Sequence, residues 1–438
     1  MLKSYLLTLL LLVSLIGCQK QEASPPAEKQ HQVKQEEKSK PAKSAEKSKL
    51  EKQSKKTPKT APVAPVEYIN RLTEQQITEG WINLFDAQSL FGWQPQNEVN
   101  WSVQDHQITA NQGPIGLLLT KVRFADFELA LDYKLSKGGN SGIFIRCAKN
   151  PSDPKVDCYE INLADKHPEG FLTGSFVGLH QFEPGKPTAD GNWHQLKITA
   201  DKNSFTVLID GKISTQFKDE RKNWLRSGLI GLQKNAGEIS FRNIRLKPIN
   251  QTELFNGKDL TGWREVPGSK SKFEVVEETI HVTNGAGFLE TEKTFDNFML
   301  QFQAKTHAAE LNSGLFFRAI QGTEKAPSNG YEVQIHNGTK EGDRNKPNNA
   351  GTGAIFRRVN AKRVVSSDNK WCTITLIADG PHISTWVDGY QVVDWEDTRK
   401  PNENPRKGKR LEAGHLSLQG HDPTTDLSFK NFKILQLP

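Results

Sequence analysis

The sequence predicts an all-β protein in which two antiparallel, two-sheet sandwiches of jelly-roll type stand in tandem behind a disordered tether. Three observations carry this reading. "NSGIFIR" at Asn140 to Arg146 returns as "NSGLFFR" at Asn312 to Arg318, and "YEIN" at Tyr159 returns as "YEVQ" at Tyr331, both 172 residues later. A shared offset for separated motifs marks a duplicated domain, and a unit of about 170 to 185 residues is far too long for a solenoid repeat. Apolar residues recur at period two, as in Phe127, Leu129, Leu131 and Tyr133, in Phe205, Val207 and Ile209, and in Phe298, Leu300 and Phe302. That spacing is the mark of half-buried strands. Helical periodicity is almost absent, and Asp210-Gly211 and Asp388-Gly389 sit between apolar runs where hairpins turn.

The elements follow in order. Residues 1–17 read as a lipoprotein signal peptide: Lys3, an apolar run from Leu6 to Ile16 too short to span a bilayer, and "LIGC" ending at Cys18, the expected lipidated residue. Gln19 after it favours the outer membrane of a bacterial cell envelope as the anchoring site. Residues 18–66 are rich in Lys, Glu, Gln, Ser, Pro and Ala and hold no aromatic residue, so they cannot bury enough surface to offset ordering entropy. This tether holds twelve Lys and six Glu; with Lys3 it accounts for the whole net charge of +7, and residues 67–438 carry 45 charges of each sign. The basic character therefore belongs to the tail, and a nucleic-acid partner is not expected. Residues 67–80 form a short helical lead-in, with Thr73 and Gln76 spaced as a capping box. The first sandwich is expected over 81–249 and the second over 250–438.

Cys147 and Cys158 flank one loop of the first copy, and both are missing from the second, where Ala319 and Gly330 stand. In an exported protein this predicts a disulfide worth about 2 to 3 kcal/mol in the chain-entropy model. Cys372 has no partner and reads as an inert buried thiol. Trp93, Trp193, Trp263 and Trp371 stand at matching points of the two copies and read as core packing.

No phosphate loop, zinc-protease helix, nucleophile elbow or Cys/His metal cluster is present. What recurs is an Arg on one strand and a Glu on a nearby one, Arg146 with Glu160 and Arg318 with Glu332. At period two, Glu160 and Asn162 share a face, as do Glu332, Gln334 and His336. Such a polar row is either a solvated face with a structural ion pair or the floor of a cleft.

"LFNGKDLTGW", "NSGLFFR", "YEVQI" and "GHLSLQGHDPTTDLSFKNFKI" resemble the bacterial 3-keto-disaccharide hydrolase family, whose domains are also described as 3-keto-glucoside 1,2-lyase and 3-keto-2-hydroxyglucal hydratase. Both copies match, over about residues 80 to 438. The resemblance implies a concanavalin/laminin-G-like jelly roll and glycosides already oxidised to a ketone at sugar C3. A C3 ketone acidifies the C2 hydrogen; a base removes it, the enolate expels the aglycone from C1, and water adds to the enone. That chemistry needs a base, an enolate stabiliser and a proton donor. Glu160 and Glu332 are the candidate bases, and Arg146 and Arg318 the candidate stabilisers. His336, His421 with Asp422, or Asp165 with His167 could supply the acid or hold a divalent metal ion, an alternative stabiliser. Asn140, Ser141, Asn312, Ser313, Asn162, Gln334, His421 and Asp422 are the expected substrate contacts.

The copies depart from the family pattern differently. The first keeps "YEINLAD" with Asp165 but has Lys234 and Asn235 where a His is common. The second keeps "LQGHD" but has His336 and Asn337 where an Asp is frequent, and its "GTGAIFRRVNAKR" is of a more basic type. The second copy is favoured as the active one. The competing expectation is a lectin-like lipoprotein that binds carbohydrate without turning it over.

Overall fold

A computed structural model describes residues 70–438 apart from Ser328. The signal peptide, Cys18 and the tether lie outside the described residues. Thr73 caps the helix Glu74–Thr78, accepting from Gln76 N while the Gln76 side chain bonds back to Thr73 N. The chain then enters two β-sandwiches with the same topology, in which every strand pair is antiparallel. In the first, an outer sheet runs in the order Lys212–Lys218, Ser204–Ile209, Trp193–Asp201, Phe127–Leu135, Ile239–Pro248, Gln107–Ala110, Ser102–Gln104. It packs on a five-stranded sheet in the order Trp93–Pro95, Gly116–Thr120, Leu229–Lys234, Asn140–Cys147, Tyr159–Ala164. The second sandwich repeats this, its five-stranded sheet running Trp263–Glu265, Gly287–Phe295, Gly414–Gly420, Ser313–Ala319, Tyr331–Ile335.

Period two explains the layers: along Phe127–Leu135 buried and half-buried residues alternate without a break. The hairpins turn at the two Asp-Gly pairs, both residues of each adopting positive φ, 49° and 75° at Asp210-Gly211 and 47° and 76° at Asp388-Gly389. Two successive left-handed residues match the right-handed twist of the flanking strands. Trp93 and Trp263 are core residues, with indole N–H groups donating to Leu84 O at 2.6 Å and Leu254 O at 2.9 Å. Trp193 and Trp371 are not: both are half-buried, under Arg242 at 4.0 Å and Lys430 at 4.3 Å respectively. Cations shielding an aromatic face do there what core packing was expected to do.

The sandwiches share an apolar seam. Met299, Ile377, Trp386 and Leu437 of the second belong to the core cluster of the first. Trp386 Nε1 donates to Asn83 O at 2.9 Å, and Asn83 N donates to Gly389 O at 2.8 Å. Lys121 with Asp394 at 2.7 Å, Arg123 with Asp379 at 2.7 Å and Lys362 with Asp86 at 2.9 Å rim this seam. A cavity of about 930 Å³ opens between the two sandwiches, lined by Leu119, Cys147 and Leu229 on one side and Asp379, His382 and Glu396 on the other. Neither Glu160 nor Glu332 lines it, so the two polar rows do not meet in this cleft.

Candidate active site

The polar rows lie on the outward face of each five-stranded sheet. Gly142 pairs with Asn162 and Phe144 with Glu160; Gly314 pairs with Gln334 and Phe316 with Glu332. The inward face carries Ile143, Ile145 and Ile161, or Leu315, Phe317 and Val333, which build the two cores. Both glutamates fold flat over the glycine of the Asn-Ser-Gly motif. A Cβ on Gly142 would come within 2.9 Å of Glu160 Oε1, and one on Gly314 within 2.8 Å of Glu332 Cγ. The repeated glycine thus makes room for the carboxylate.

The expected Arg–Glu pairs do not form. One residue before the strand end, each Arg sits at positive φ, 50° for Arg146 and 47° for Arg318. Phe144 pairs with Gly231 but Cys147 with Leu229, and Phe316 pairs with Ser417 but Ala319 with His415, so one extra residue is absorbed on this strand in each copy. This β-bulge reverses the alternation and turns the Arg inward. Arg146 donates to the carbonyls of Ala125 at 3.0 Å and Leu225 at 2.7 Å, to that of Lys202, and to Asp126 at 2.9 Å. Arg318 donates to Asp296 O at 2.8 Å, Gly380 O at 2.7 Å, Arg410 O at 3.1 Å and Asn297 Oδ1 at 3.1 Å. Both guanidinium groups are buried anchors for loop carbonyls, and neither is bonded to the glutamate of its copy.

Several other expected site residues are also structural. Ser141 and Ser313 are fully buried on the core side, donating to Gln233 O and Gln419 O at 2.6 Å each, because they alternate with the outward glycine. Asp165 accepts from Thr188 N at 2.8 Å and Ala189 N at 3.1 Å and so ties down a loop; His167 accepts from Glu169 N at 3.1 Å. Asn162 bonds the carbonyl of Phe171, whereas Asn140 is held through its backbone N, which donates to Ala236 O at 2.9 Å, and leaves its side-chain Oδ1 buried without a protein partner. His336 lies on the same face as Glu332 but four residues along the strand, about 13 Å away. It accepts from Gly338 N at 3.2 Å, and burial holds its basicity below the usual imidazole range. Cys147 and Cys158 come together as expected, buried side by side, but are not joined by a disulfide. Their mutual hydrogen bond and burial push the Cys158 thiol far up. The Cys372 thiol is likewise pushed up by burial.

What gathers around Glu332 is a different set. Arg406 donates to Glu332 Oε2 at 3.1 Å and lies over the Phe316 ring at 5.0 Å. Burial raises the Glu332 carboxyl, and the charges of Arg406, His421 and Arg357 work against that rise. His421 Nδ1 is paired with Asp422 Oδ2 at 2.8 Å, and Asp422 is held near 2 by hydrogen bonds from Thr424 and His421. Gln334 joins Asn312 Oδ1 at 2.7 Å. Gln334 Oε1, Gln419 Oε1 and Ser417 Oγ are buried on this side of the sheet with no protein partner, groups that a polar ligand could satisfy.

Neither arginine is a named site candidate from sequence, although Arg357 lies in the more basic "GTGAIFRRVNAKR" segment and the copies differ at both places. Arg406 lies on the loop from Asp397 to Gly414, whose counterpart from Asp219 to Gly228 is much shorter. Arg357 stands where the first copy has Gly178, and both residues are left-handed, with φ of 59° and 73°. A non-glycine residue there carries backbone strain that glycine avoids.

The first sandwich lacks these charges. Glu160 meets only Gln233 Nε2, at 3.2 Å, and burial pushes its carboxyl up to about 7. A carboxyl raised on folding is more stable protonated in the native state, so its contribution falls as pH rises from 4.5 towards 7 and is flat above. Glu160→Gln is therefore expected to raise stability by about 2 to 3 kcal/mol at pH 8 and by almost nothing near pH 4. Urea unfolding of both proteins across that range checks it; a difference independent of pH would count against a buried, unpaired carboxyl.

Fold and site together define a tandem jelly-roll protein with a buried glutamate, Glu160 or Glu332, beside the Asn-Ser-Gly motif on the outward face of each five-stranded sheet. The 3-keto-alpha-glucoside-1,2-lyase-like domain matches residues 80–247 and again 250–435, and the chain belongs to that family, carrying its domain twice. The family is of 3-keto-disaccharide hydrolase type. A curated 3-keto-disaccharide hydrolase from Bacteroides thetaiotaomicron is 23% identical, over 39% of this chain and 79% of its own length. Among solved structures, a candidate glycosyl hydrolase from Parabacteroides distasonis is 18% identical, covering 41% of this chain and 99% of its own at a TM-score of 0.35. A carbohydrate-binding module from Bacillus subtilis is 15% identical, covering 35% and 94% at a TM-score of 0.28. The family assignment rests on the match to both domains.

Proposed function

We propose that the second sandwich cleaves 3-keto-glycosides, with Glu332 as the base that takes the C2 proton. The observation that carries this is the convergence of Arg406, Arg357 and His421 on a buried carboxylate folded over Gly314. As the C2–H bond breaks, its electron pair forms the C2–C3 double bond and the C3 oxygen becomes an enolate, which Arg406 and Arg357 stabilise. Collapse of the enolate restores the ketone, forms the C1–C2 double bond and breaks the C1–O bond. His421, oriented by Asp422, gives its proton to the departing oxygen. Water adding back across C1 and C2 completes a net hydrolysis. Arg406 and Arg357 thus take the role first expected of Arg318, and His421 takes the acid role left open among His336, His421 with Asp422, and Asp165 with His167.

The first sandwich presents a carboxyl with no cation beside it, which suits retention of a neutral sugar better than stabilisation of an enolate. The lipobox at Cys18 supports placing the activity at the cell envelope. Incubation of the full chain with 3-keto-trehalose and a 3-keto-glucoside tests the reading. Aglycone release is the expected result, and no release with or without added divalent metal would sink it.

A further inference from the structure

Away from the Glu332 face, on the solvent side of the other sheet of the second sandwich, three side chains come together from three neighbouring segments. His281 lies on Thr279–Thr283, Asp426 opens Asp426–Gln436, and His307 directly follows Phe298–Thr306. Their candidate ligand atoms all lie within 4.8 Å of one another, and all three residues are partly exposed. His281 Nε2 is 2.8 Å from Asp426 Oδ1, and His307 Nε2 is 2.8 Å from Ser428 Oγ. The rings meet edge to face at 5.5 Å. Strand pairing fixes the segments against one another: His281 is opposite Ser428, Thr283 opposite Asp426, and Thr306 opposite Leu427.

The duplication supplies an internal reference. At the positions of His281 and His307 the first sandwich has Thr109 and Ser136, with Glu238 and Ser240 in place of Asp426 and Ser428. There the site closes with ordinary hydrogen bonds: Thr109 Oγ1 lies 3.0 Å from Ser240 Oγ, and Ser136 Oγ accepts from Glu238 N at 2.9 Å. The sandwich therefore folds without imidazole at either place. In the second copy both hydroxyl residues are histidines, and they converge on one carboxylate.

We propose that His281, His307 and Asp426 bind a divalent transition-metal ion, zinc above others, as a structural clamp across three segments of the second sandwich. Two imidazoles and one carboxylate are a borderline donor set that suits zinc, cobalt or nickel, whereas magnesium and calcium prefer oxygen alone. Ligands of a tetrahedral zinc ion stand about 3.4 Å apart, given bonds of about 2.0 to 2.2 Å, so side-chain rotation of about an ångström closes the site. Ser428 Oγ or water can take the fourth position. Because the cluster and Glu332 lie on opposite sheets, the ion holds the strands together and takes no part in the chemistry at Glu332.

The test uses the untagged, chelator-treated full chain and the double variant His281→Thr/His307→Ser, which restores the residues of the first copy. Wild type should bind one equivalent of zinc by calorimetry, gain about 5 °C in Tm at a hundredfold excess over Kd, and give visible ligand-field absorption with cobalt. The variant should fold and lose all three responses. Absence of one-to-one binding by wild type, or binding undiminished in the folded variant, overturns the proposal.

Discussion

Glu332→Gln should lower turnover of a 3-keto-glycoside by about 10² to 10⁴-fold, the contribution of a positioned general base, while leaving the fold intact. The amide keeps the shape that lies over Gly314 and can still bond a neighbour, but it cannot accept the C2 proton. Because the wild-type carboxyl is buried and raised, the neutral side chain should not destabilise the protein in the way an unpaired charge would. Measured kcat should fall with little change in Tm. The companion variant Glu160→Gln should retain turnover, which separates the sandwiches. If Glu160→Gln abolishes turnover and Glu332→Gln does not, the active domain has been misassigned while the family chemistry stands.

Arg318→Met should cost about 3 to 5 kcal/mol in folding free energy, a loss typical of breaking a buried, hydrogen-bonded charge site. The guanidinium is fully buried and serves three backbone carbonyls and the Asn297 amide oxygen. A thioether fills some of the volume but leaves those acceptors without donors. Arg318→Lys should rescue little, since one ammonium cannot reach acceptors spread around a planar fork. Urea unfolding reads the loss. A catalytic Arg318 would instead give a stable protein with depressed kcat, the outcome that would refute the anchoring role.

Much of the site was visible in sequence, but as a list of residues without a grouping. Glu160 and Glu332 could be placed with Asn162 and Gln334 because alternation along a single short strand depends only on neighbouring residues. Arg146 and Arg318 recur beside them in both copies, but pairing with the glutamates would require the preceding strand to alternate as regularly. A bulge breaks that alternation, and in each copy it is held by carbonyls about 20 to 90 positions away, beyond any local pattern. Arg406 was hidden for a related reason: it reaches Glu332 from a loop 74 residues later in the chain. The length of that loop in one copy alone was the available clue.

The cysteines show the same division. Their joint presence in one copy correctly placed them side by side, yet the disulfide expected between them is not formed in the structure, and spacing alone does not decide that bond. By itself the sequence determined the duplication, the all-β class, the hairpin turns and the face on which each glutamate lies, because these follow from repeat, period two and local φ preference. Only the tertiary structure decided which cations meet Glu332, which arginines are anchors, and that the two polar rows stay outside the cleft between the sandwiches. Those outcomes depend on a one-residue bulge and on long-range loop contacts, and a bulge exchanges the faces of a strand while leaving its composition unchanged.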